Sequence, residues 1–281
     1  MAEKDTGEKY LEEYPDVFAD IVNVLLLEGE YIRPEELYDG PTESIYKAEN
    51  GIDIKEQRRD ISKYYIKDNK IKALIGIENQ STIDYDMPIR VSGYDYSSYR
   101  SQIVKGSDRY PVITLVLNFS NKEWNAPLSL SEVFDCSKEL DGCVSDYSIK
   151  VVNVAYIPEE IRAKFKSDFK LIVDFFNQKR FTGSYVPSGK NLKHEMAVLN
   201  MLKIFTTDKR YYEIEESVKM KKRKGEVITM CTFADEMENR GRILEAVFIY
   251  SKEMKLNENQ VMQKIMQRFS LSSEEAGKYL K

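Results

Sequence analysis

The sequence predicts an α/β protein, a mixed sheet flanked by helices, with a helical appendage at its C-terminal end. Three observations carry this. Residues 71–77 and 112–119 are apolar runs of strand length. Stretches of helical period precede, separate and follow them. After about residue 180 the strand signal stops and only helical patterns continue.

Residues 8–27 carry Leu11, Val17, Phe18, Ile21, Val22, Val24 and Leu25 at helical spacing, with Pro15 as a break. Residues 33–51 read as a loop, given Pro34, Gly40, Pro41 and Gly51. Residues 57–66 and 70–80 read as two strands joined by the polar turn Lys67-Asp68-Asn69. The second, with Ile71, Ala73, Leu74, Ile75 and Ile77, is apolar enough for a strand buried on both faces. Residues 87–104 read as a helix with Pro88 in its first turn. Residues 112–119 and 149–157 read as strands, and 159–177 as a helix begun after Pro158. Beyond a boundary near 180, helices are expected over 192–205, 211–219, 232–255, 257–269 and 272–280, with a break at the basic stretch 219–225. Asn257 and Ser272 suit N-caps, and Ser272 with Glu275 forms a capping-box pattern. The domain limits expected are therefore 1–180 and 181–281.

Composition narrows the chemistry. With 42% hydrophobic and 11% aromatic residues, the 281-residue chain can build a substantial core. The charged N-terminus lacks the apolar stretch of a signal peptide, and no apolar run approaches bilayer length. The expectation is a soluble cytoplasmic protein. Three cysteines, with no CxxC pair, suggest neither a disulfide framework nor a structural zinc site. The single histidine, His194, stands at a helix start, which disfavours Ser/His/Asp and Cys/His mechanisms. No phosphate-binding glycine motif is present. A net charge of −5 speaks against a passive DNA-coating protein, and less against a nuclease with local basic contacts.

Candidate chemistry sits at the end of the second hairpin strand. Glu78 and Gln80 alternate onto one face of it. Symmetry about Asp68 sets Asp60 opposite the neighbourhood of residues 74–78. Glu78 closes an apolar run where a buried strand would sooner continue with another apolar residue. Two carboxylates on a rigid floor suit Mg²⁺, which takes one or two carboxylates together with water and substrate phosphate.

The stretches Arg59-Asp60-Ile61-Ser62-Lys63-Tyr64, Ala73-Leu74-Ile75-Gly76-Ile77-Glu78-Asn79-Gln80, Asp86-Met87-Pro88-Ile89-Arg90-Val91-Ser92-Gly93-Tyr94-Asp95 and Arg109-Tyr110-Pro111-Val112-Ile113-Thr114-Leu115-Val116-Leu117 together resemble the Rpn family. Those are recombination-promoting nucleases, often labelled transposases, of the PD-(D/E)XK nuclease superfamily. The resemblance spans roughly residues 5–175. It implies a restriction-endonuclease-like core and Mg-dependent DNA cleavage. It assigns Asp60 and Glu78 as metal ligands and sets Gln80 where the superfamily usually has its catalytic lysine. That replacement is usual within the Rpn family, and a glutamine can hydrogen-bond a water but carries no charge. Arg90, on the following helix, is a candidate for the missing charge. The superfamily also draws on an acid of the first helix, a position that Asp5 fits best by spacing, with Glu8 next.

The aromatic helix residues Tyr94, Tyr96 and Tyr99, with Arg100, suit either stacking on bases or packing, and packing is preferred for Tyr94. The basic cluster of residues 219–224 suits either phosphate contacts or a solvated surface, with adjoining Glu213, Glu215 and Glu216 favouring the latter. The expected partner is DNA, with a homodimer as one possible assembly. Two rival readings share the fold: a nuclease-like module without chemistry that binds DNA or protein, and a transposase that joins strands.

Overall fold

In the computed structural model, residues 10–47, 54–105, 108–134, 140, 143 and 145–280 are described. The chain divides into two units, Met1–Val186 and Pro187–Lys281. The first opens with a 3-10 turn, Leu11–Glu13, and helix α1, Pro15–Leu25, with the proline in the first helical turn. Val17, Phe18, Ile21 and Val22 of α1 are fully buried.

Strand β1 (Leu37–Asp39) and β2 (Glu43–Lys47) follow inside the stretch expected to be a loop. β2 pairs with β3 (Ile54–Arg58) in a separate two-stranded sheet. The strand expected over 57–66 is thus two strands, broken at Arg59 and Asp60 before β4 (Ile61–Lys67). At the break the Arg59 amide turns away to the Thr42 carbonyl, 2.8 Å off.

β4 and β5 (Lys70–Gln80) form the expected hairpin. Its turn needs only two residues. Asp68 and Asn69 both adopt positive φ, 52° and 57°, the backbone that matches the twist of two-residue hairpins. Residues 73–78 of β5 are buried in succession. The reason is position: β5 lies between antiparallel β4 and parallel β6 (Val112–Asn118), in a five-stranded sheet ordered β1-β4-β5-β6-β7. Helix α2 (Met87–Lys105) makes the crossover that a parallel pair requires.

After the short helix α3 (Leu130–Val133), strand β7 covers only Lys150–Asn153, and a 3-10 turn, Val154–Tyr156, replaces the rest of the expected strand. The helix expected over 159–177 is also two, α4 (Glu159–Arg162) and α5 (Phe169–Thr182). The Asp20 carboxylate of α1 accepts the Lys166 and Ser167 amides at 2.9 and 2.7 Å, which diverts those donors from a continuous helix. The mixed α/β core has the helix, sheet and crossover order of a restriction-endonuclease-like fold.

The second unit contains α6 (Glu195–Phe205), α7 (Arg210–Glu213), α8 (Glu215–Arg223), α9 (Met230–Phe248), α10 (Glu258–Phe269) and α11 (Ser273–Gly277). Asn257 caps α10 through the Gln260 amide at 3.0 Å. Ser272 and Glu275 complete a reciprocal capping box on α11. The basic stretch does not interrupt helix formation, since α8 runs through it to Arg223. Among the described residues, no helix is long and apolar enough to cross a membrane.

Candidate metal centre

The break after β3 leaves Asp60 at the head of β4. Ile61 pairs with Ile77, so the ladder brings Asp60 level with Glu78. The two-residue turn, with a register shift between Tyr65 and Ile66, accounts for the difference from symmetry about Asp68 alone. Two hydrogen bonds lock the pair. The Asn79 amide donates to Asp60 Oδ2 at 2.8 Å, and the Asp60 amide donates to Glu78 Oε2 at 3.4 Å. Gln80, two residues along the same strand face, donates from Nε2 to Glu78 Oε1 at 3.3 Å. Asp60, Glu78 and Gln80 therefore converge.

Arg90 joins them from α2. Its Nη2 reaches Glu78 Oε1 at 2.7 Å and its Nη1 reaches Asp84 Oδ2 at 2.7 Å. The Tyr94 hydroxyl accepts from the same Nη2 at 3.3 Å. The Tyr94 ring is packed in the core, whereas Tyr96 is 62% exposed. The Arg100 guanidinium lies 6.0 Å over the Tyr96 ring.

A further acid lies beside the site that the sequence pattern did not single out. Glu12, in the turn before α1, is fully buried, and neither of its carboxylate oxygens has a hydrogen-bond partner. Asn79 points toward the opposite sheet face from Glu78, and its carboxamide lies near Glu12 without reaching hydrogen-bond geometry; its own amide atoms are unpaired too. Asp5 and Glu8, the first-helix acids favoured by spacing, lie outside the described residues. The available signal was Pro15. It starts α1 and isolates residues 11–13 as a separate turn, in which Glu13 caps the Tyr10 amide at 3.0 Å while Glu12 turns inward.

The electrostatics are those of a site short of positive charge. Burial pushes the Glu78 carboxyl up to about 7; the charge of Asp60 adds to this, while Arg90 opposes it. Burial likewise raises Glu12 to about 7, again with a contribution from Asp60. Buried carboxylates this poorly compensated must take a proton or a cation. Hard oxygen donors, with Glu12 unpaired and Glu78 raised by burial despite Arg90, fit Mg²⁺. Arg90 already occupies one Glu78 oxygen, and among the described residues no three acidic, histidine or cysteine side chains are grouped as an ion-enclosing set.

The basic cluster in the second unit is largely neutralised. Lys219 pairs with Glu215, Lys221 with Glu236 at 3.3 Å, and Lys222 with Glu195 at 2.7 Å.

Residues 58–183 match the family described as "Putative transposase, YhgA-like". Searches of curated proteins and of solved structures give no match. The family match takes in Asp60, Glu78, Gln80 and Arg90 and agrees with the Rpn resemblance of the motif stretches. Over residues 58–183 the chain is thus similar to the YhgA-like putative transposase family.

Proposed function

We propose that the protein is a Mg-dependent DNA endonuclease of the cytoplasm, with Asp60 and Glu78 as its metal ligands. The observation that carries this reading is the Asp60–Glu78 pair, clasped across the ends of β4 and β5 with Glu78 buried and raised to about 7. Glu12 adds negative charge from the α1 side once ionised, and below about pH 7 the centre holds protons that a cation would displace. Bound Mg²⁺ would lower the pKa of a water and neutralise charge on a phosphodiester under attack. Gln80 can orient that water by hydrogen bonding. Arg90 offers the positive charge that Gln80 lacks.

The test is conversion of supercoiled plasmid to nicked circles by the whole protein with Mg²⁺, beside Asp60→Ala and Glu78→Ala. Loss of activity in both variants by about two orders of magnitude, the scale of one key electrostatic contact, is expected. Equal background nicking in all three proteins would refute the reading. Joined strands among the products would favour the transposase chemistry instead.

A second reading has its own observation. The direct Arg90–Glu78 ion pair resembles a structural contact that has taken the place of an ion. On that reading the fold binds DNA or a protein without cutting, and the plasmid stays intact while a mobility shift persists.

A further inference from the structure

We propose that Arg59 is a positioning residue whose buried contact with Asp95 sets the placement of α2 and so delivers Arg90 to Glu78. This rests on the reading of Glu78 and Arg90 as site residues. Arg59 stands immediately before Asp60, yet its side chain is only 2% exposed and its Nη2 binds the carboxylate of Asp95 on α2. Asp95, 1% exposed, also accepts the Thr114 hydroxyl of β6 at 2.7 Å and the Tyr147 hydroxyl from the segment before β7. One carboxylate thereby ties the head of β4, the crossover helix, a central strand and the approach to the sheet edge.

As a stabilising device the arrangement is poor. The Arg59 Nε and Nη1 are buried without hydrogen-bond partners, and such orphaned donors lose their hydration with nothing in return. Buried ion pairs can often be exchanged for apolar groups without loss of stability. What the pair does supply is location. The Arg59 guanidinium carbon lies 5.7 Å from the centre of the Tyr94 ring, and the Tyr94 hydroxyl is held by Arg90, which reaches Glu78. Arg59 therefore touches α2 at two consecutive residues, 94 and 95, one turn from Arg90. Gly76 of β5 makes room for it. A Cβ there would lie 3.0 Å from Arg59 Cδ and 3.4 Å from Nε and Nη1.

The experiment replaces the buried charges together, as Arg59→Met/Asp95→Leu/Tyr147→Phe in the full chain. Three properties are read: the melting temperature, the guanidinium NMR signal of Arg90 (assigned with Arg90→Lys), and the affinity for Mn²⁺ at pH 8. A positioning role requires that the variant melt close to wild type while the Arg90 signal shifts to that of a freely rotating arginine. Mn²⁺ affinity should change by about tenfold, the scale of a supporting-shell change at a metal site. An unaltered Arg90 signal in the folded variant overturns the proposal. If wild type binds no Mn²⁺ while Arg90 is still released, the metal-site reading fails and the positioning role stands. Should the triple variant not fold, Gly76→Ala applies the same question by displacing Arg59 a few tenths of an ångström. Movement of the Arg90 signal then supports the role, and an unchanged signal overturns it.

Discussion

Asp60 Oδ2 accepts the backbone amide of Asn79 at 2.8 Å, while the Asp60 amide reaches back to the carboxylate of Glu78. The first contact fixes one carboxylate by a main-chain donor that no side-chain substitution elsewhere removes. It also separates the geometric role of Asp60 from its electrical one.

Asp60→Asn keeps an oxygen for the Asn79 amide but loses the negative charge that helps raise Glu78. The Glu78 carboxyl is therefore expected to titrate lower than about 7 in this variant, as followed by carboxyl ¹³C shifts. Nicking should fall as far as in Asp60→Ala. A Glu78 titration unchanged from wild type would show that the two carboxylates are not coupled.

Glu12 makes stability depend on pH in the metal-free protein. Its folded-state pKa, about 7, is above the ordinary 4.5, so the folded chain binds the proton more tightly than the unfolded chain does. Its contribution is fully present below about 4.5 and is lost as pH rises through about 7. The loss is about 3 kcal/mol at most. Glu12→Gln removes this dependence. At pH 8 its first unit should melt roughly 5 °C or more above wild type, with the gap closing near pH 4.5. Millimolar Mg²⁺ should narrow the gap at pH 8 by stabilising wild type. A constant difference between the two proteins across that pH range would contradict the assignment.

How far such features were readable in the sequence depended on how local their causes are. β5 was legible because burial on both faces leaves an uninterrupted apolar run, and the hairpin because Asp68 and Asn69 tolerate positive φ. Asp60, Glu78 and Gln80 followed from strand alternation and the family resemblance. The break between β3 and β4 was not legible, because its partners are distant: the Arg59 amide goes to Thr42 and its side chain to Asp95. The same holds for the gap between α4 and α5, which Asp20 makes from far along the chain. Glu12 was missed for a different reason. The break at Pro15 was readable, but the sequence does not show that the short turn before it points Glu12 inward.

Lys221 and Lys222 are expected to contribute little to DNA affinity. Both already face acids, at 2.7–3.4 Å, and a phosphate would have to displace those partners. Lys221→Gln/Lys222→Gln should leave the dependence of DNA binding on salt unchanged, whereas two real phosphate contacts would lower its slope by about 1.8. Stability should change by no more than about 1 kcal/mol, as for exposed ion pairs. A clear fall in the salt slope would move the DNA surface to α8.

Arg90 distinguishes the two functional readings most directly, because it competes for the oxygen an ion would use. Arg90→Ala frees Glu78 Oε1 from its 2.7 Å contact and removes a charge that lowers the Glu78 pKa. Two opposed effects follow, and pH separates them. Well above 7, Glu78 is ionised with or without Arg90, so loss of the repelling cation should tighten Mn²⁺ binding, on the order of tenfold for one charge at a partly solvated site. Near pH 6 the variant holds its Glu78 proton more firmly and should bind the ion less well than wild type does. Cleavage at saturating metal should nonetheless slow by about 100-fold, since the positive charge beside the phosphate is gone. Tighter binding with slower nicking supports Arg90 as a working part of a metal-dependent nuclease. Tighter binding with nicking gained would instead show that Arg90 blocks the centre, as the second reading holds.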